Sequence, residues 1–326
     1  MSHSILRRTF VGGTALGALL AAPDVQAGPK PEAGPGPAGP KEVRLEHLRP
    51  RQIDEAMKAC PVLFQPLGTI EWHGLHNVVG LDAVKAHLLC TRAAQQGGGL
   101  VAPPLFGGIG GLDEPHTFVM EPENDVFSVL LRPWVEKLCR EAVRQGFRAV
   151  IVLTGHYGAA QQMVVRELAV RMTRVLGVPV LGTPEYFLAL DAGYHGDHAA
   201  WGETSLMLHL YPSSVDLSQL GDAPHKGVGG RDPKKHATRA DGEKLAERII
   251  ARLAGLARQM PTWDPATVRR FAETEAALVT RQMTLAAEQK AVWAGWRNIG
   301  RGVFDDYARL LVERRFDDII ALVEKL

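Results

Sequence analysis

The chain has 326 residues, of which 46% are hydrophobic and 22% charged, an ordinary globular balance with material for one large α/β domain or two smaller ones. Its formal net charge of +1 removes the electrostatic case for nucleic acid or an anionic membrane surface as a partner. Three cysteines, Cys60, Cys90 and Cys139, are an odd set without CxxC spacing, which argues against a disulfide framework or a zinc knot. Each lies among apolar residues and reads as a buried, inert thiol.

In chain order, the first feature is Arg7-Arg8-Thr9-Phe10, followed by an uncharged apolar run from Val11 to Ala22 and small residues at Val25-Gln26-Ala27. This pattern predicts a twin-arginine export signal over residues 1–27, and therefore a periplasmic protein exported in folded form. The apolar run is shorter than the roughly 20 residues a membrane span needs, so no stable membrane association is expected after processing. Removal of residues 1–27 takes away Arg7, Arg8 and Asp24 and leaves 35 basic against 35 acidic residues. Residues 28–42 alternate Pro with Gly, Ala, Lys and Glu and read as an extended linker.

From residue 43 to 240, strand-like and helix-like stretches alternate. Val62-Leu63-Phe64 is a short apolar strand, Asp82 to Gln95 a helix, and Leu100 to Leu105 a second strand. Val126 to Gln145 has helical spacing and Gly146 closes it. Arg148 to Leu153 contains Ala-Val-Ile-Val-Leu without alternation, the mark of a strand buried on both faces. Ala159 to Leu176 predicts a helix, Val178 to Leu181 a strand, and Glu203 to Tyr211 another helix. Such an order predicts an α/β fold with a mainly parallel sheet covered on both faces. Residues 241–326 are almost wholly helical in pattern, punctuated by Trp263, Trp293 and Trp296, and read as a helical C-terminal extension.

Three segments carry residues suited to chemistry. In Gly68-Thr69-Ile70-Glu71-Trp72-His73-Gly74-Leu75-His76, Glu71 and His73 are two apart, and on an extended segment they project the same way. They follow a buried strand at its carboxyl end, where open α/β sheets build their sites. Asp82 follows at the start of a helix, where it is also a natural cap. The second segment, Thr154-Gly155-His156-Tyr157-Gly158, again sets a histidine directly after a strand. In the third, Asp197-His198-Ala199-Ala200-Trp201-Gly202-Glu203-Thr204-Ser205, Glu203 opens an apolar helix and His198 sits on the preceding loop, a natural proton shuttle. Imidazole and carboxylate together suit Zn²⁺, Mn²⁺ or Fe²⁺.

Together these segments resemble the creatininase family. Its signature is a Gly-Ser/Thr-x-Glu-x-His-Gly-x-His stretch with a later Asp, an Asn-Gly-His turn, and Asp-x-His-Ala-Gly-x-x-Glu-Thr-Ser. The resemblance covers roughly Val62 to Tyr211, about half the chain. It implies a three-layer α/β/α fold, a homo-oligomer that is often a hexamer, and hydrolysis of a C–N bond in a small amide or cyclic amide. It implies Glu71, His73, Asp82 and His156 as ligands of two divalent cations (Zn, Mn or Fe), with Asp82 bridging. Glu203 becomes a further ligand, or a carboxylate beside the bridging water that collects its proton. His198 becomes the proton donor to the leaving nitrogen. Tyr157, Asp197 and Trp201 within the motifs, and His116 in Glu114-Pro115-His116-Thr117-Phe118, are the candidate substrate contacts.

The departures are specific. Thr154 replaces the family Asn, Ala200 replaces a Gly, and Gly158 stands where creatininase itself has a Glu that binds metal. The family's longer pocket segment is reduced to the stretch around His116. These changes leave the substrate open. A lactone or ester hydrolase on the same scaffold, and a non-catalytic periplasmic metal- or ligand-binding protein, are the competing readings.

Overall fold

The computed structural model describes residues 41–112, 114–122, 128–291, 293, 299 and 302–326. The export signal, all of the linker before residue 41, Trp296 and the first two residues of the helix predicted from Val126 lie outside the described residues.

The central strand β1, Val62–Gly68, is buried at every position, including Gln65 in the middle of its apolar residues. It pairs in parallel with β6, Ala149–Thr154, with Phe64 opposite Ile151 and Pro66 opposite Leu153. On the far side of β6 lies β7, Val180–Pro184, also parallel. The other edge of β1 carries two short strands, β2 (Leu100–Val101) and β3 (Leu105–Phe106). The single strand predicted over Leu100 to Leu105 is therefore divided. Pro103 and Pro104 have no N–H for the ladder, and the Gln65 amide fills the gap by donating to the Pro103 and Pro66 carbonyls. A separate parallel pair, β4 (Gly108–Ile109) and β5 (Met120–Glu121), lies beyond the carboxyl edge.

Alternate side chains of the strands enter two cores. Val62, Phe64, Ile151, Leu153 and Leu181 join Ala86, Leu89 and Cys90 of α2 (Leu81–Gly97) and Leu245, Ile249 and Leu253 of α7 (Arg239–Gln259). Leu63, Leu67, Val150, Val152 and Val180 join Val135 and Cys139 of α3 (Leu131–Arg144) and Val164 and Leu168 of α4 (Ala159–Leu176). The result is the expected parallel sheet between two helical layers, with α5 (Trp201–Leu210) packed on α7.

Several boundaries differ from the sequence expectation for local reasons. Helix α1, Pro50–Ala59, was not predicted; it buries only Ala56, and its start is marked by a proline at the first turn and by the Gln52 side chain accepting from Arg49 N–H. Helix α3 begins at Leu131 because the Ser128 hydroxyl accepts from Leu131 N–H while Glu121 accepts from Val129 and Leu130 N–H. After the short α6, Pro233–His236, and α7 come α8 (Pro265–Glu288), α9 (Tyr307–Val312) and α10 (Phe316–Val323), so the C-terminal region is helical as predicted. The three cysteines are free and buried, and burial pushes the Cys139 thiol up to about 12. Among the described residues, no helix is long and apolar enough to cross a membrane.

The first turn of α2 sits directly over the carboxyl ends of β1 and β6. A Cβ on Gly68 would lie 2.1 Å from Ala83 N, and one on Gly155 would lie 2.1 Å from the Asp82 carbonyl. Both glycines are there so that helix backbone can approach strand backbone. Gly155→Ala is expected to lower stability by about 1–3 kcal/mol, the usual cost of forcing a methyl into packed backbone, read as a reduced denaturation midpoint at unchanged m-value.

Candidate metal centre

Glu71 and His73 leave the end of β1 on an extended stretch tied down by Glu71 N–H to the Val79 carbonyl and Phe118 N–H to the Ile70 carbonyl. Asp82 is the second residue of α2 and His156 follows β6, so all four side chains meet at the carboxyl edge of the sheet. All four are nearly or wholly buried. Asp82 lies at the junction. Its Oδ1 is 3.0 Å from His73 Nε2, and its Oδ2 is 3.2 Å from His156 Nδ1. Glu71 Oε2 is 3.0 Å from the same His156 nitrogen. Glu203 Oε2 is 3.7 Å from His73 Nε2, and the His198 ring centroid is 4.4 Å from that of His73.

Two triads thus share Asp82: Glu71, Asp82 and His156 on one side, and His73, Asp82 and Glu203 on the other. In each, one donor atom per residue lies within 4.8 Å of the others. Glu71, His73 and His198 form a third such group.

The hydrogen bonds around the imidazoles fix which nitrogen faces the centre. His73 Nδ1 lies 3.0 Å from the Glu71 carbonyl, and His156 Nε2 lies 2.8 Å from the Gly110 carbonyl. A carbonyl can only accept, so those nitrogens carry a proton and His73 Nε2 and His156 Nδ1 face inward, each able to offer a lone pair to a cation once its own proton is displaced. Glu71 Oε2, His73 Nε2 and Asp82 Oδ2 are buried and form no hydrogen bond, despite their close approaches. Buried polar atoms left this way cost about 1–3 kcal/mol each unless something else satisfies them. Divalent cations satisfy all of them, and the mixed nitrogen and oxygen donor set suits Zn²⁺ or Mn²⁺.

The electrostatics agree. Burial works against charge on Asp82, yet His73 and His156 hold its carboxyl far below the usual range. Burial likewise opposes a charged His73, but Asp82, then Glu203 and Glu71, push it up to about 9. His156 is displaced upward against burial by Asp82 and Glu71. Carboxylates concentrate negative charge here, and imidazole protons compete with divalent cations for it.

A second buried network lies behind the first, and sequence reasoning missed it. Lys85 is wholly buried on α2, one turn beyond Asp82. Its ammonium donates to Glu203 Oε1 at 2.5 Å and to Tyr157 Oη at 2.9 Å, and pairs with Glu185 Oε1 at 2.8 Å. Tyr157 donates to Glu185 and lies 3.0 Å from Tyr194 Oη. The signal was a lone lysine among the apolar residues of α2, on the same face as Asp82. Glu203 is thereby held at both oxygens, because Oε2 accepts from Ala199 N–H at 2.7 Å. It can offer one oxygen to a cation, and it is poorly placed to carry protons.

The candidate substrate contacts divide. Tyr157 and Asp197 line a cavity of about 370 Å³ over the centre, together with Glu71, His156, His198 and Trp293. Asp197 accepts from Gly202 and Glu203 N–H at the start of α5, and burial followed by the charge of Glu203 pushes it up to about 7. Trp201 is turned to Asp241, to which its indole N–H donates, and under Arg231. His116 is exposed on a turn at φ 71°. Neither lines this cavity. His198 lines it, with Nε2 donating to the Trp72 carbonyl at 2.8 Å. Gly158 also has a structural reason: a Cβ there would lie 2.4 Å from the Ile109 carbonyl and 2.7 Å from His156 Nε2, so the Gly108–Gly111 segment closes over the place a glutamate would need.

A parallel α/β domain with a buried imidazole–carboxylate donor set at its carboxyl edge has the form of a hydrolase fold with a candidate metal site. The chain belongs to the creatininase family of hydrolases: the family model described as creatinine amidohydrolase matches residues 46–257. It is 32% identical over 190 residues to a creatinine amidohydrolase of Pseudomonas putida, covering 50% of this chain and 69% of that one. It is 25% identical over 230 residues to a 3-dehydro-scyllo-inosose hydrolase of Thermotoga maritima, covering 65% and 68%. Among solved structures, a manganese creatininase aligns with TM-score 0.56 at 26% identity, covering 68% of this chain and 100% of that chain. A mutant creatininase of Zn–Zn type aligns with TM-score 0.56 at 24% identity, covering 68% and 99%.

Asp82→Ala should abolish stoichiometric metal in the purified protein, because both triads lose the carboxylate they share; elemental analysis that found full metal content would overturn the shared-ligand arrangement. In the same assay chelation should lower the wild-type unfolding temperature and added Zn²⁺ or Mn²⁺ should restore it, since a ligand that binds only the folded state stabilises it.

Proposed function

We propose that the protein hydrolyses a C–N bond in a small amide or cyclic amide with two divalent cations held by Glu71, His73, Asp82, His156 and one oxygen of Glu203. The observation that carries this reading is Asp82, whose two oxygens each serve a different imidazole. Bound divalent cations supply an activated water near neutral pH and polarise the substrate carbonyl.

The chain's own residues supply the rest. Asp82 sets the spacing of the two triads. Glu203, clamped by Lys85 and the Ala199 amide, gives fixed negative charge. His198 borders the cavity with Nε2–H held by the Trp72 carbonyl, which leaves Nδ1 to take the proton that the attacking water gives up and to pass it to the departing nitrogen. An amide nitrogen leaves poorly unless protonated, so this donor is required chemically. At about 370 Å³ the cavity has room for a small molecule. His198→Ala should keep its metal content and lose activity by about 10²–10⁴-fold. Metal loss in that variant would place His198 among the ligands instead.

The Thermotoga maritima relative is named for hydrolysis of 3-dehydro-scyllo-inosose, so a likeness to this scaffold does not fix the substrate. A lactone or ester hydrolase is the second reading. A panel of creatinine, hydantoins, formamides and lactones assayed with the metal-loaded protein separates the two; turnover of lactones alone would sink the amidase reading.

We place the protein in the periplasm on the strength of the twin-arginine pattern at Arg7-Arg8, and propose that it acts there as a homo-oligomer. Phe106, Val119, Leu130 and Trp134 are exposed apolar side chains around one cleft, a surface that favours a second copy. Fractionation of expressing cells should find the mature chain outside the cytoplasm, and light scattering should give a multiple of the chain mass that falls in Trp134→Glu. A cytoplasmic monomer would refute both.

A further inference from the structure

The wall of the cavity includes a residue from beyond the family match. Trp293 follows α8, whereas the match ends at residue 257. It lines the same cavity as Glu71, His156, Asp197 and His198. Its side chain is 52% exposed, a large apolar surface left half open beside a polar cavity. An indole placed this way offers a flat, electron-rich face to whatever enters.

The C-terminal helices around it are joined to the site by buried chemistry. Arg166, wholly buried on α4, pairs with Glu275 of α8 and donates to Tyr307 Oη of α9 at 3.1 Å. Tyr307 donates in turn to Glu275 at 2.7 Å. The rings of Phe304 and Tyr307 meet Phe187, two residues beyond Glu185 of the Lys85 network. Asp305 lies 3.1 Å from His195, on the loop that carries Asp197 and His198. The extension is therefore packed against the segments that form the cavity.

We propose that Trp293 is a specificity-determining wall of the substrate pocket, stacking on a planar group of the substrate beside the bond to be cleaved. This inference rests on the hydrolase reading above and goes beyond it, because it gives the C-terminal extension a part in choosing the substrate. Trp293 is not one of the candidate metal ligands, so its removal is expected to weaken substrate binding while the metal centre stays intact.

The test uses the full, metal-loaded protein and whichever panel compound it hydrolyses. Trp293→Ala should raise KM about tenfold or more, as expected for loss of a stacked aromatic contact, with a smaller change in kcat and wild-type metal content. Trp293→Phe should recover most of the lost affinity. An unchanged KM in Trp293→Ala would overturn the proposal. If no panel compound is hydrolysed, the hydrolase reading fails by itself, and the placement of Trp293 is read separately from tryptophan emission on loading with Co²⁺. Wild type should then be quenched more strongly than Trp293→Phe, and equal quenching would overturn the placement.

Discussion

The centre depends on how α2 meets the sheet. Asp82 can present one oxygen to each imidazole only because the helix start rests on backbone at Gly68 and Gly155, where any side chain would collide with it. That contact brings a carboxylate from a helix between a histidine from the end of β1 and another from the end of β6. Parallel strands end side by side at the same edge, so residues far apart in the chain arrive within a few ångströms of one another.

So much buried charge is tolerable only if it is balanced. Asp82, Glu71 and Glu203 face inward, and on one side protons on His73 and His156 answer them, the same protons a divalent cation would displace. Lys85 answers Glu203 and Glu185 on the other. Breaking such a buried pair leaves an uncompensated charge, a larger loss than the net worth of the pair itself. The lysine thus helps hold Glu203 stationary next to the triads, while the carbonyls of Glu71 and Gly110 keep the imidazoles turned. Orientation comes from backbone, and charge balance comes from side chains.

The C-terminal helices extend this scaffold. Arg166 of α4, Glu275 of α8 and Tyr307 of α9 bond to one another in the buried interior, and the aromatic rings around Phe187 join that cluster to the turn after β7. Loss of packing in the extension would be felt at Glu185 and at the 195–198 loop. This coupling is a property of contacts between elements and is not encoded in any local motif.

How much was legible follows from the range of each interaction. The strands at Val62 and Ala149, the helix after Asp82 and the pairing of Glu71 with His73 rest on local periodicity, so the chain announces them. The family resemblance joined Asp82, His156, His198 and Glu203 with Glu71 and His73 into one set, and these do converge. Contacts between distant segments are silent in the sequence: Lys85 reaching Glu185 and Glu203, Gly158 excluded from holding a longer side chain by the Ile109 carbonyl, and Trp201 turned away to Asp241. The sequence by itself determined the alternation of elements and the donor types at strand ends, because hydrophobic period and chemical identity are properties of neighbours along the chain. Only the tertiary structure decided which donors come within reach of one another, which side chains face the cavity and how the buried charges are balanced, because distance and dielectric exist only once the segments are packed.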